Sequence, residues 1–171
     1  MKGAKLKLFI TSLVVLLLFY LMNQMTTRPG TISGNGNPAL IVVTILIPLF
    51  ILMVFLWGRI FRVHSINQRF SIVGIILTFV HLTIAFIYQR IALANYRNII
   101  KDALIKEGGE VDNQYLQDIT TGLTIHVNNQ YFNLNTFFMF ISFSIFIALA
   151  FYLWDTRENN IGNRNVQGGR E

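Results

Sequence analysis

His81 is the only ionisable side chain inside any of the long apolar runs of this 171-residue sequence. It follows Phe70, where its run begins, by about 16 Å of helix at a rise of 1.5 Å per residue, which places it near mid-membrane. Ionisable groups at that depth are costly and mark proton relays or ligand sites where partners exist. Ser71, Gly74, Thr78, His81 and Ala85 recur with helical spacing as one small and polar stripe. Small residues let helices approach closely, and Ser, Thr and His can hydrogen-bond across the contact. No Asp, Glu, Lys or Arg lies in a span to partner the imidazole. A neutral His bonded to a neighbouring helix is therefore favoured over a relay.

Other chemistry is thin. Glu110, Asp112, Asp118 and His126 offer oxygen and nitrogen ligands in one polar segment. They form no HExxH motif, no EF-hand loop and no close His pair, so no metal is expected. Span serines and threonines have no paired base beyond His81, and no acid/base dyad is present. The glycine-rich RPGTISGNGNP stretch lacks the Lys-Ser/Thr ending of a phosphate loop. No enzyme activity and no cofactor are expected. The chain has no cysteine, which removes disulfides, thiolate metal sites and thiol catalysis.

These residues must be positioned by membrane helices. The hydrophobic class makes up 53% of the chain and charged residues 13%, where a soluble domain carries about 25% charge. Four segments reach the roughly 20 apolar residues of a span: Leu8–Met25, Ala39–Trp57, Phe70–Tyr88 and Asn135–Trp154. Asn23-Gln24-Met25-Thr26 is a poor cleavage site, so the first is read as an uncleaved span rather than a signal peptide. Pro48 interrupts the second, and Ser144 with Ala148 forms a small-xxx-small packing pair in the fourth.

Basic residues set the orientation. Lys2, Lys5 and Lys7 precede the first span; Arg59, Arg62 and Arg69 lie between the second and third; Arg157, Arg164 and Arg170 follow the fourth. The segment 26–38 has only Arg28. The net charge of +6 therefore reads as membrane orientation, not nucleic-acid binding, with both termini cytoplasmic. Arg90, Arg97, Lys101 and Lys106 in 89–134 run against the pattern, but a long loop crosses largely regardless of charge. Trp57 and Trp154 fall at the inner ends, Tyr20, Tyr88 and Tyr131 near the outer ones, as interfacial rings do.

The expected organisation is a span in 1–25, a mobile outer loop 26–38, a span in 39–57, a basic inner loop 58–69, a span in 70–88, an extracytoplasmic segment 89–134, a span in 135–154 and a disordered cytoplasmic tail 155–171. In 89–134, Leu93, Tyr96, Ile100 and Leu104 share one face of an amphipathic helix that ends at Gly108-Gly109. Asn128-Asn129 suits a two-residue turn between 123–127 and 130–134, with Ile125 facing Phe132 and Leu123 facing Leu134. The competing reading starts the fourth helix at Tyr131.

The fold class is an all-α membrane protein, a four-helix transmembrane bundle with a small extracytoplasmic helix and a β-hairpin. The absence of cysteine and the Ile/Asn-rich style point to a bacterial cell membrane. The expected function is action by protein–protein contact, as an accessory or regulatory subunit or a sensor. Its partners would be the bilayer and a membrane protein or further copies of itself, bound through the face of Leu93, Tyr96, Ile100 and Leu104. The alternative is a small transporter or channel built on the stripe around His81.

Overall fold

The computed structural model describes residues 2–31, 36–108 and 110–168, with side chains through residue 158. The described chain is helical: α1 is Lys2–Gln24, α2 Ala39–Val63, α3 Gln68–Gly108, α4 Asn113–Thr120, α5 Asn128–Tyr131 and α6 Leu134–Gly168, with a 3-10 turn at Ile125–Val127 before α5. Four of these helices are long and apolar enough to cross a membrane. Pro48 does not break α2, which is continuous from Ala39 to Val63.

α1 and α2 join along a seam of heptad spacing. The buried residues of α1 are Leu8, Thr11, Val15, Phe19 and Met22, and those of α2 include Ala39, Val42, Leu46, Met53 and Leu56. Steps of three, four and seven residues keep one narrow apolar line facing the partner helix, close to the geometry of knobs-into-holes packing. α6 packs on the α2 side of this pair. Phe19 sits among Phe132, Phe137 and Phe140 at centroid distances of 5.4, 5.9 and 6.0 Å, each edge to face. Phe140 meets Phe50 of α2 at 5.3 Å. Edge-to-face pairs match the positive ring edge to the negative face of the next ring.

α3 stands apart. It packs along α6 and has no comparable contact with α1 or α2. Of its apolar span 11% is buried, against 28% in each of the other three. The expected four-helix bundle takes the form of a cluster of α1, α2 and α6 with α3 laid along α6. The contact uses the small stripe: Ser71 and Ala85 are buried. At Gly74 a Cβ would lie 2.8 Å from Leu149 Cδ1, so the missing side chain is what lets α6 come this close. Ser144 and Ala148 of α6 are both buried.

The hairpin is overturned. No strand occurs among the described residues; Ile125–Val127 is a 3-10 turn and Asn128-Asn129 opens α5 instead of a turn. A two-stranded hairpin has few backbone bonds of its own, whereas the helical path lets Asn128 turn inward to full burial. Asn133 then closes the entry to α6: its Oδ1 accepts from Thr136 N at 3.0 Å, and Thr136 Oγ1 accepts from Asn133 N at 2.9 Å. The tail reading also needs correction, because α6 continues to Gly168. Once a helix is nucleated by an apolar span, each added residue gains a backbone bond, and no proline interrupts this stretch.

Candidate functional site

Residues 89–108 and 110–134 form a cap on one end of the helices. The first half of the segment is the continuation of α3, as its periodicity requires. Ile100 is 2% exposed, packed with Leu116 of α4 and Val127, and Leu93, Tyr96 and Leu104 pack around the same cluster. On the face expected to recognise a partner, Ile100 is thus buried against the chain's own α4 and 3-10 turn, while Leu93, Tyr96 and Leu104 are half-buried. Asp112 caps α4 by accepting from Gln114 N at 2.8 Å, which satisfies one of the free amides of the first turn. Arg97 Nε donates to Thr120 Oγ1 at 2.8 Å.

Thr27 and Asn37, near the two described ends of 26–38, pin this cap in place. Thr27 N donates to Ile125 O at 3.2 Å, and Thr27 Oγ1 lies 3.0 Å from His126 Nδ1. Asn37 and Asn128 exchange hydrogen bonds, Nδ2 to Oδ1, at 2.8 and 3.0 Å. Asn37 also donates to Leu123 O at 3.0 Å and accepts from Ala39 N at 3.1 Å. The loop was expected to be mobile; both of its described ends are anchored, and residues 32–35 lie outside the described residues.

Because α1 and α3 do not pack on each other, a cleft of about 590 Å³ opens between them beneath the cap. Its floor is apolar, with Leu16, Phe19 and Phe137. Its upper wall carries seven carboxamides: Asn23, Gln24, Gln89, Asn129, Gln130, Asn133 and Asn135. Tyr20 and Tyr88 stand on the α1 and α3 sides, and no charged residue lines it. Many of the amides are tied down. Asn23 Nδ2 donates to Phe132 O at 2.7 Å. Asn135 Nδ2 donates to Ala85 O at 3.0 Å and to Gln89 Oε1 at 3.1 Å, and Gln89 Nε2 donates to Gln130 O. This network fixes the upper wall and leaves an uncharged surface of amide donors and acceptors over an aromatic floor.

The sequence reading did not find this site. Its signal was the gathering of Asn and Gln at the ends of the first, third and fourth spans, which has no helical or strand period to announce it. The stripe, by contrast, is real but divided. Ser71, Gly74, Thr78 and Ala85 turn toward α6, while His81 is exposed. At about 100° per residue His81 falls some 80° from Ser71, at the trailing edge of the stripe. Thr78 Oγ1 donates back to Gly74 O at 2.8 Å, within its own helix. His81 lines none of the clefts described here. Among the described residues no three of His, Asp and Glu gather as a metal-binding group.

Compared with known proteins, the chain matches no family model, no curated protein and no solved structure.

Proposed function

We propose that this is a non-catalytic, multi-pass protein of a bacterial cell membrane that works by contact, as an accessory or regulatory subunit or a sensor. The contact is made through the cleft between α1 and α3. The observation that carries the proposal is the cleft itself, free of charge, aromatic below and amide-rich above. Such a surface suits a membrane-embedded helix whose end presents hydrogen-bonding, uncharged groups at the level of the cap. It does not suit general acid–base chemistry, which needs a titratable group at the reacting atom.

Both termini are proposed to be cytoplasmic and the cap extracytoplasmic. Support comes from the clustering of basic groups at the end opposite the cap, where Lys5 of α1 approaches Arg59 and His64. A transport reading would need a wet path to His81, and an imidazole exposed at the edge of the α3–α6 contact, lining neither cleft, does not favour one.

A photo-crosslinking residue at Tyr20 or Tyr88, in native membranes, tests the proposal. The expected product is a discrete protein adduct that disappears when Ala92→Trp fills the cleft. Adducts to lipid alone, or a protein adduct indifferent to Ala92→Trp, would refute it.

A further inference from the structure

At the other end of the molecule a second cleft, of about 380 Å³, runs between α2 and α6. Its walls are apolar along Phe50, Val54 and Phe151, and it ends at Arg62 and Asp155. From Phe50 to Arg62 is about 18 Å at 1.5 Å per residue, close to the depth of one leaflet of a hydrocarbon core about 30 Å thick. Gly58 opens the upper part: a Cβ there would meet only Arg62 Nη2, at 3.7 Å. Arg62 Nη1 bonds Asp155 Oδ2 at 3.0 Å, with side chains 55% and 49% exposed. The mouth continues into a polar pocket that shares Arg62, Tyr152 and Asp155 and adds Thr156 and Glu158. Trp154 Nε1 holds Glu158 by donating to its Oε1 at 2.8 Å.

We propose that this cleft binds phosphatidylethanolamine, with an acyl chain along Phe50, Val54 and Phe151 and the headgroup at Arg62, Asp155 and Glu158. The charges choose the headgroup. Arg62 engages Asp155 through one nitrogen and has further N–H donors for a phosphate. The mouth sets one guanidinium against two carboxylates, so its surplus charge is negative. That surplus favours a headgroup that brings an ammonium beside its phosphate and disfavours an anionic one such as phosphatidylglycerol. A primary ammonium has three N–H donors for the carboxylates, whereas the quaternary nitrogen of phosphatidylcholine has none. The inference is independent of the contact function proposed for the opposite end.

The test is native mass spectrometry of delipidated protein in mild detergent, titrated with phosphatidylethanolamine, phosphatidylcholine and phosphatidylglycerol of matched chains. One tightly retained lipid is expected, with phosphatidylethanolamine preferred by roughly two- to fivefold, the range of an exposed ion pair. Gly58→Leu, which fills the upper cleft, should remove the retained lipid whatever its headgroup. Asp155→Asn with Glu158→Gln should keep lipid binding and erase the preference. Equal retention of the three headgroups, or a preference that survives the double variant, would overturn the proposal. Should Gly58→Leu lose helicity by circular dichroism, the double variant, which alters only polar groups at the mouth, decides the matter alone.

Discussion

In the cap, Asn37 and Asn128 exchange two hydrogen bonds, with Asn128 fully buried; on the span of α3, His81 turns an imidazole outward. Both regions place polar groups where water is scarce, and they resolve the cost differently. The cap pairs Asn37, Asn128 and Thr27 within the chain, through reciprocal amides, backbone carbonyls and the Thr27–His126 contact. α3 keeps its small residues for α6 and leaves the larger polar one to the surroundings. Internal pairing makes the cap a fixed structural element; the exposed span of α3 has little of its own structure depending on its side chains.

The comparison predicts a graded series of effects. The largest is expected at the centre of the cap. Ile100→Ala should destabilise it by about 2–4 kcal/mol, as buried isoleucine truncations do. Limited proteolysis should then cut within 109–124, while the spans stay protected. A cap that resists cleavage in this variant would remove the claim that Ile100 anchors it.

Asn128→Leu should cost about 1–3 kcal/mol, because Asn37 loses the two bonds to Asn128 and keeps only those to Leu123 O and Ala39 N. The double change Asn37→Leu with Asn128→Leu should cost less than the sum of the two single changes, since the reciprocal bonds are lost only once, although Leu123 O and Ala39 N also lose their Asn37 partner. A double-mutant cycle read by thermal unfolding in detergent measures the coupling. Strict additivity would show that the reciprocal pair contributes nothing beyond its two separate residues.

Gly74→Val should cost about 1–2 kcal/mol by overpacking against Leu149, smaller than a cap-centre truncation because a leucine tip can move aside. A disulfide engineered between α3 and α6 reports whether the helices separate; unchanged crosslinking and stability would show that the close approach is not needed.

The smallest effect is expected at His81. In the isolated protein His81→Leu should change stability by less than about 0.5 kcal/mol, the scale of surface substitutions. A loss of 1 kcal/mol or more, by the magnitudes of membrane hydrogen bonds, would mean that the imidazole has a partner and that α3 is not the bare helix described above.

Local pattern was enough to read the four apolar helices, the continuation of the third to Gly108 and the shared face of Leu93, Tyr96, Ile100 and Leu104. Each follows from side-chain spacing along a single helix, which is fixed by 3.6 residues per turn whatever the rest of the chain does. The tertiary structure decided what those faces meet. It packed Ile100 of the α3 extension against α4, replaced the hairpin with a turn and a short helix, and put His81 just beyond the edge of the contact that Ser71 and Gly74 make. It also assembled the carboxamide-walled cleft from residues of α1, α3, α5 and α6. Periodicity identifies which side of a helix is apolar, but it carries no information about which helix will cover it. That choice rests on long-range packing and on amide pairs such as Asn37 with Asn128, which become neighbours only after the chain has folded.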